Sequence, residues 1–514
     1  MTSIKEVFVD LHEKYNKVMK LLTEDSKLDP DNEPYLSKYS ARQMLIGMKA
    51  NLENLQKNHI ESIERSKITG MLGAVNLYLG IVSIDVDEMS TGESYLEKCH
   101  EIIKDHLNSS ELIMVTLNMY NQFGILWAQR DNEKSKTYLE KAEKLYLDYK
   151  KSAVPPVDIC DLFNYSFQEN NTEIAWKNLA KIHTFTLYYL AQIYGSLKDA
   201  LKSSIYCHIT LQRQLDSNDY DPIDWALNAA TLSQFFMEKN GFKQARHHLT
   251  ASSYILTKYE EELNRISERN ETYDAKMEIF NHRSADVARC WVKYGLLLLI
   301  KSKERLLNHT DDIDVNCSIS SDLSFLNLED STVTSRDLKS LKFSSLNIDH
   351  YENKITDKFI LTMQDARLVF LNMQTWLHKA ESYYSLDNFA SDHIEIVQDK
   401  SQIYLNVAFF EDNPENQAKI HKRRIDLLEN VVNNVNPKYY LQYCRQIWFE
   451  LGQTYSEMLN IKSDRLKESS DRPSAHILTK INHLIERILQ KQYQKKFLMI
   501  LKKLSFKLVF MLVL

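Results

Sequence analysis

The sequence has 514 residues, a formal net charge of -6, and only 10 glycines and 8 prolines. Glycine and proline interrupt helices and form tight turns, so their scarcity favours a helical protein. The net negative charge excludes a broadly basic nucleic-acid-binding protein, and we expect no nucleic acid partner.

Helical hairpins are predicted from the N-terminus onwards. Residues 1–28 carry apolar side chains at helical spacing, and a second helix is predicted over residues 40–58. In the hairpins that follow, a small residue on the first helix, such as Gly80 or Gly124, is matched by apolar residues on the second. The polar, proline-containing stretch 152–171 interrupts this period, and we interpret it as an insertion between repeats.

The clearest repeats are two consecutive hairpins over residues 187–249. On one first helix, Leu232, Ser233 and Phe236 stand where a tetratricopeptide (TPR) helix has a leucine, a small residue and an aromatic residue. Small residues let two antiparallel helices approach, and large ones fill the groove that remains. The matching residues of the second helix are Ala245 and Leu249.

Repeats are predicted on both sides of a central interruption. A long helix over residues 284–307 has no short-spaced partner, so we interpret it as a connector. Residues 308–349 are rich in Ser, Asp and Asn, which predicts a flexible surface loop. Helical periodicity then resumes, and the spacing W-x-x-L-G-x-x-Y from Trp448 to Tyr455 is that of a TPR first helix.

We therefore predict an all-α fold: a TPR-like right-handed α-solenoid of helical hairpins in two subdomains joined by a long helix. The predicted parts are an N-terminal TPR-like subdomain (1–283), the connecting helix (284–307), the loop (308–349), a C-terminal TPR-like subdomain (350–485) and an atypical tail (486–514). The tail is basic and apolar, and we interpret it as a truncated or non-native end rather than as a membrane-surface helix.

The sequence predicts a cytoplasmic protein without stable membrane insertion. No apolar run is expected to reach the ~20 residues that span a bilayer. The six cysteines are widely spaced, contain no C-x-x-C pair and follow no secretory signal. We expect reduced thiols that pack inside the protein.

Motifs for catalysis are not found, so we predict no enzyme, no catalytic residue, no cofactor, no metal and no small-molecule substrate. The sequence has no Gly-rich phosphate loop, no G-x-S-x-G and no H-E-x-x-H. His247 and His248 are adjacent and point in different directions from a helix, which favours ordinary packing over metal binding. The basic run HKRR at 421–424 is interpreted as a solvated helix face, in preference to a contact for an acidic partner.

The hairpin register predicts a protein-binding face. On each first helix, the residue before the packing leucine position and the residue one turn later face the concave groove of a solenoid. One row is Tyr78, Gln122, Tyr189, Thr231 and Lys293, and the next row is Gln192 and Gln234. Aromatic anchors among hydrogen-bonding groups suit a protein partner. For Tyr78 and Tyr189, an equally good interpretation is that they fill space between helices.

Several strings resemble the kinesin-binding protein family, with matches scattered from about residue 70 to about residue 483. They include MSTGESYLEKC (89–99), LYYLAQIY (187–194), DPIDWALNAATLSQFF (221–236), ARCWVKY (288–294) and NPKYYL (436–441). The loop 308–349 does not match, and the tail departs from the family's further C-terminal helices.

The resemblance implies a non-enzymatic TPR-like solenoid that binds the motor domains of a subset of kinesins. Its concave face would hold the motor through the helix that docks on tubulin and so keep it off microtubules. Regulation of microtubule-based transport, axon growth and neuron differentiation, and association with the cytoskeleton, would follow. The contacts carried over are Tyr189, Gln192, Gln214, Thr231 and Lys293, of which Gln214 rests on the resemblance alone. With Gln234 from the register, these are the predicted partner-binding residues.

The alternative prediction is a TPR co-chaperone or scaffold that recognises a short peptide. Capture of a C-terminal carboxylate would need Lys and Asn one turn apart on a first helix. The K-x-x-x-N of this sequence, Lys104 to Asn108, is predicted at the end of a second helix, facing a turn. That position weakens the alternative without removing it.

Overall fold

A computed structural model of the chain describes residues 4–57, 62–164, 172–267, 269–308, 341–468 and 475–491. Over these ranges the chain forms 17 α-helices, three short 3₁₀ helices and no β-strand. The predicted all-α solenoid is therefore confirmed. The described residues divide into two compact units, unit 1 up to Asp219 and unit 2 from Tyr220.

Unit 1 consists of four helical hairpins, α1–α2, α3–α4, α5–α6 and α7–α8. Its helices are α1 (Ile4–Thr23), α2 (Leu36–Lys57), α3 (Ser62–Asp85), α4 (Met89–Ile103), α5 (Ile113–Ala128), α6 (Asn132–Ser152), α7 (Thr172–Ser196) and α8 (Ala200–Ser217). Its 3₁₀ helices are Asp25–Lys27, Lys104–His106 and Cys160–Phe163.

Unit 2 also stacks hairpins, but an irregular segment and a short helix lie within it. Its helices are α9 (Pro222–Glu238), α10 (Phe242–Asn264), α11 (Glu271–Leu307), α12 (Asp349–Glu352), α13 (Met363–Tyr383), α14 (Ala390–Phe409), α15 (Pro414–Asn434), α16 (Leu441–Glu468) and α17 (Ala475–Lys491). The packed pairs are α9–α10, α11–α13, α14–α15 and α16–α17.

Side-chain caps fix where many of these helices begin. The Asp131 carboxylate accepts hydrogen bonds from the backbone N–H groups of Glu133 and Lys134 at the start of α6. Asp221 caps α9 in the same way and is followed by Pro222, whose missing N–H costs nothing at this position. Each cap satisfies backbone donors that the first turn leaves without a partner.

The packing register predicted for the central hairpins is confirmed. Leu232, Ser233 and Phe236 of α9 are buried, as are Ala245 and Leu249 of α10. The Ser252 hydroxyl of α10 donates to the Ala226 carbonyl of α9 at 2.7 Å, so the two helices of this hairpin are joined by a buried hydrogen bond as well as by apolar contact.

The close approach of α3 and α4 requires glycine at Gly92. An added Cβ there would lie 3.1 Å from the Gly80 carbonyl oxygen and 3.3 Å from the Ile84 backbone nitrogen, and backbone atoms cannot move aside cheaply. Gly47 in α2 has no atom within 4 Å of the corresponding position. The two glycines are therefore a matched pair, one required by packing and one not.

We expect Gly92→Ala to lower the free energy of unfolding by about 1–3 kcal/mol, because overpacking forces a backbone shift. Gly47→Ala should raise it by up to about 1 kcal/mol, because alanine is the better helix former. Urea unfolding followed by circular dichroism measures both changes. Equal effects at the two sites would contradict the close approach of α3 and α4.

The compact units do not divide at residue 283, where the sequence placed a subdomain boundary. α9 and α10 both pack on α11, which also carries α13 and α14. α11 begins at Glu271 rather than at residue 284 and is a member of the hairpin stack of unit 2. Its missing short-spaced partner is α13, which the chain reaches only after a long interruption.

The predicted surface loop 308–349 is partly inside the fold. Residues 309–340 lie outside the described residues, but Leu341, Phe343 and Ile348 are buried in unit 2. The prediction is wrong for residues 341–349, because sparse apolar residues are covered by helices distant in sequence. Residues 486–491 of the predicted tail continue α17, and residues 492–514 lie outside the described residues.

The predicted insertion 152–171 also contributes to the core of unit 1. Phe163 of its 3₁₀ helix is buried and stacks on Tyr15 of α1, with ring centroids 4.3 Å apart. Residues 165–171 lie outside the described residues.

Within the part of the chain that the structure describes, one helix is apolar enough to cross a bilayer by length and composition, contrary to our expectation from the sequence. This helix is Arg65–Asp85, within α3, and 78% of its most apolar 18-residue stretch is buried inside the protein. It serves as a core helix of unit 1, where it packs on α2, α4 and α5.

The basic run 421–424 is not a solvated face throughout. Arg423 on α15 is exposed, but the side chain of Arg424 is only 1% exposed. Its guanidinium donates to the Glu450 carboxylate at 3.0 Å and to the Ser401 hydroxyl at 2.8 Å. The prediction is wrong for Arg424 because α16 places carboxylates over the inner face of α15. Burial and the nearby Arg424 also lower the pKa of buried His421 to about 4.

Candidate protein-binding site

The first helices of successive hairpins lie side by side within each unit. In unit 1, α3 contacts α5 and α5 contacts α7, and in unit 2, α9 contacts α11 and α11 contacts α14. Tyr189 and Gln192 lie on α7, and Gln214 on α8, in unit 1. The other three predicted residues, Thr231 and Gln234 on α9 and Lys293 on α11, lie in unit 2.

Three aromatic residues form a cluster on α7, which we call the aromatic cluster: Phe185, Tyr188 and Tyr189. The Tyr189 ring meets Phe185 and Tyr188 edge to face, with centroids 4.7 Å and 5.3 Å apart. Phe185 is 42% exposed and Tyr188 is 40% exposed, while Tyr189 is half-buried beneath them. Burial, and then Tyr188 and Asp85, raise the pKa of Tyr189, so its hydroxyl is a neutral hydrogen-bonding group.

The buried side of α7 is fixed by polar contacts. The Thr186 hydroxyl donates to the Asn121 side chain of α5 at 2.8 Å. His183 stacks on Tyr146 with centroids 3.7 Å apart, and its Nδ1 accepts from Arg213 at 2.7 Å. Burial and the nearby Arg213 lower the pKa of His183 well below its usual range, so the imidazole is neutral. These contacts hold the aromatic cluster on a rigid helix.

The glutamines of unit 1 are placed differently. Gln192 is exposed one turn after the aromatic cluster, on the same side of α7 as Tyr188. Gln214 is half-buried on α8, the second helix of the hairpin, close to its C-terminal end. Among the described residues no hydrogen bond joins Gln214 to the aromatic cluster, so the structure groups Tyr189 with Gln192 and leaves Gln214 apart.

In unit 2, a side-chain contact links the two helices that carry the predicted residues. The Gln234 amide of α9 donates to the Cys290 sulfur of α11 at 3.6 Å. Thr231 is exposed one turn before Gln234, and Lys293 is exposed almost one turn after Cys290. The structure therefore brings these three residues to neighbouring helices of one unit.

A charged tier continues this face from α11 to α14. Arg289, one turn before Lys293, donates to Asp392 at 2.8 Å and to Glu395 at 2.7 Å. Asp399, further along α14, has no hydrogen bond or ion pair within 4 Å among the described residues. Burial raises the pKa of Asp399, and the nearby Lys293 offsets part of that rise. A cation from a partner would satisfy this carboxylate.

Contacts elsewhere bear on two interpretations made from the sequence. Tyr78, in the same predicted row as Tyr189, packs edge to face on Tyr15, and their hydroxyls are 3.3 Å apart, so it fills space inside unit 1. Lys104 lies in a 3₁₀ helix and pairs with Glu101 at 2.7 Å. Over the residues that the structure describes, no three His, Cys, Asp or Glu side chains are grouped to hold a metal ion.

Sequence reasoning missed Phe185 and Tyr188. A signal for both was present, because exposed positions 177, 181, 185, 188 and 192 recur every three or four residues along α7. Single exposed aromatic residues are common, but neighbouring ones form an apolar patch of the kind that marks a binding surface. The charged tier gave no such signal, since Arg289 and Asp392 are far apart in sequence.

Comparisons with known proteins show the family of the chain. A family model described as "KIF-1 binding protein C terminal" matches residues 223–508. Relatives named KIF-binding protein include that of Drosophila melanogaster, 35% identical over 494 residues, covering 93% of this chain and 79% of the relative. That of Homo sapiens is 33% identical over 524 residues, covering 95% and 83%.

Among solved structures, "Cryo-EM map of KIFBP" matches with a TM-score of 0.59 and 29% identity, covering 94% of this chain and 80% of that one. Stacked hairpins with exposed aromatic and polar residues on their first helices define the class as an all-α solenoid with a candidate binding face. The chain belongs to the KIF-binding protein family.

Proposed function

We propose that this chain binds kinesin motor domains and blocks their attachment to microtubules. The partner is supported by the names of the relatives, since each is a KIF-binding protein. The structural observation that carries the proposal is the aromatic cluster, because exposed aromatic side chains on a rigid helix are the usual anchors of protein interfaces.

Contacts are proposed in each unit separately. Tyr189 and Gln192 act with Phe185 and Tyr188 in unit 1, where aromatic rings supply buried area and the amide supplies hydrogen bonds. Thr231, Gln234 and Lys293 act in unit 2, where Lys293 lies near the Asp399 carboxylate of α14. Gln214 remains a proposed contact on the resemblance alone.

Blocking would be steric. The chain covers the motor surface that docks on tubulin, so the motor cannot bind the chain and the microtubule at the same time. This mechanism needs no catalytic step, cofactor, nucleic acid or membrane insertion. On this proposal the chain acts in the cytoplasm, associated with the cytoskeleton, and regulates microtubule-based transport and, through it, axon growth.

The test is a panel of purified kinesin motor domains, each assayed for capture by the immobilised chain and for co-sedimentation with microtubules. We expect at least a subset of motors to be captured and to move from the pellet to the supernatant as the chain is added. If every motor stays in the pellet at a saturating concentration, the blocking mechanism fails. Capture of a motor without its release from microtubules would support binding and contradict the steric blocking.

The same assay separates the alternative of a co-chaperone or scaffold. An isolated peptide that ends in a free carboxylate, of the kind that TPR co-chaperones capture, is titrated against the chain. Binding of the peptide without binding of any folded motor domain would favour the alternative. Dependence on a folded motor domain favours our proposal.

A further inference from the structure

An irregular segment of unit 2, residues 341–362, crosses α10 and α11, and we call it the strap. It contains the four-residue helix α12 and is otherwise without regular structure. Its apolar side chains Leu341, Phe343, Ile348 and Ile360 are each only 1% exposed. Leu341 has a left-handed backbone, with φ of 43°, which is unfavourable for a leucine and persists only when its surroundings fix it.

Phe343 is the aromatic anchor of the strap. Its ring lies 5.1 Å from that of Trp225 on α9, and 5.5 Å and 4.9 Å from those of His247 and His248 on α10, measured between centroids. The pocket is therefore built by both helices of the α9–α10 hairpin. A phenylalanine side chain is the natural occupant, because aromatic pairs gain energy beyond the area that they bury.

His247 is the polar anchor, and both of its ring nitrogens are used. Its Nε2 accepts a hydrogen bond from the Phe343 backbone N–H at 2.8 Å. Its Nδ1 donates to the buried Glu352 carboxylate. Since an accepting Nε2 carries no proton, the geometry selects the neutral Nδ1–H tautomer. One side chain thus holds the strap at two points nine residues apart.

Further side chains hold the main chain of the strap. The Arg246 guanidinium donates to the Ile355 carbonyl at 2.7 Å and pairs with Asp357 at 3.1 Å. From α11, the Tyr294 hydroxyl donates to the Thr356 carbonyl at 2.8 Å. The Ser302 hydroxyl, also on α11, accepts from the Ile360 N–H at 2.8 Å. The strap therefore ties α10 to α11 through hydrogen bonds on both helices.

This tie acts directly on the candidate binding face. α9 would move together with α10, because the Ser252–Ala226 hydrogen bond joins the two helices. α9 carries Thr231 and Gln234. Lys293 is the residue before Tyr294 on α11. A shift of α10 against α11 would therefore change the spacing between the residues on α9 and Lys293, and would strain the 3.6 Å contact of Gln234 with Cys290.

We propose that the strap is a positioning latch: Phe343 and His247 hold the α9–α10 hairpin in register with α11, and so set the spacing of Thr231 and Gln234 from Lys293. Phe343 and His247 are positioning residues, since both are buried and can act on a partner only through the helices that they hold. The inference rests on the proposed function. Opening of the latch lowers the fraction of the chain that is competent to bind, and the apparent Kd rises by the inverse of that fraction.

The test uses the full chain and one kinesin motor domain that the wild type binds. Phe343→Ala removes the aromatic anchor, and Ser344→Ala, at the exposed next residue, is the matched control. Hydrogen exchange of the strap amides reports opening, and a binding titration reports affinity. We expect faster exchange in the strap and about tenfold weaker binding for Phe343→Ala, with neither change for Ser344→Ala.

A His247 pair separates positioning from simple loss of fold. His247→Leu removes both hydrogen bonds, whereas His247→Gln keeps one acceptor and one donor on a single amide. We expect His247→Leu to bind about tenfold more weakly and His247→Gln to recover most of that loss.

Faster strap exchange with unchanged affinity in Phe343→Ala would overturn the latch, as would equal binding by the two His247 variants. Binding of the motor domain by the wild type is measured first. If the wild type binds no motor at all, the proposed function fails.

Discussion

Replacing Phe185 and Tyr188 together with alanine is expected to weaken the binding of a kinesin motor domain by about 30- to 1,000-fold. Both rings are about two-fifths exposed on α7, so their removal costs the folded chain little. At an interface, central aromatic anchors each contribute about 2 kcal/mol or more when truncated. Fluorescence anisotropy with a labelled motor domain measures the change.

Tyr39→Ala is the matched control for this pair. Tyr39 lies on α2 in the same unit and is 46% exposed, yet it is outside the candidate face. The Tyr39→Ala variant should bind the motor domain with unchanged affinity.

Tyr189→Ala with Gln192→Ala should also weaken binding, with the helical circular dichroism signal and the melting temperature nearly unchanged. Loss of fold in that last variant would assign Tyr189 to the core, and full affinity in the Phe185–Tyr188 variant would remove the aromatic cluster from the interface.

Replacing Arg424 with methionine is expected to lower the free energy of unfolding of unit 2 by about 3–5 kcal/mol. Arg424 is almost completely buried, and Glu450 beside it is buried too. Removing the guanidinium leaves a carboxylate inside the protein without its cation, and the loss of solvation is no longer offset. Urea unfolding followed by circular dichroism gives the change.

Arg423→Met controls for the loss of charge, because Arg423 is the exposed neighbour on α15. It should change the free energy of unfolding by less than about 0.5 kcal/mol. The double variant Arg424→Met with Glu450→Met should recover much of the loss, because it removes both buried charges. Equal stability of Arg424→Met and Arg423→Met would mean that water reaches the pair.

The fold was largely predictable because hairpin packing follows local spacing. Leu232 and Phe236 of α9, and Ala245 of α10, are close in sequence, so one register revealed both the helices and their contact. Arg424 could not be recognised as buried, because its burial depends on Glu450, 26 residues later, across a helix pair. A basic run on a helix carries no local sign of such a partner.

The candidate site was predictable only where the register sufficed. It correctly separated exposed Thr231 and Lys293 from the packing residues, but it placed Tyr78 in the same row as Tyr189. Tyr78 is covered by Tyr15 of α1, which lies 63 residues earlier. The strap was missed for the same reason: Leu341, Phe343 and Leu346 are too few to form a sustained period, and Phe343 is buried against His247, 96 residues earlier.

The strap also has a consequence for the order in which the protein is made. α10 ends at Asn264, and Phe343 lies 79 residues later (343 minus 264). At about 5–20 residues per second, a ribosome needs roughly 4–16 s to travel that distance. During this interval the nascent chain holds Trp225 and His247 without the side chain that covers them. The unfilled pocket is then an apolar surface that chaperones would be expected to shield until synthesis passes residue 343.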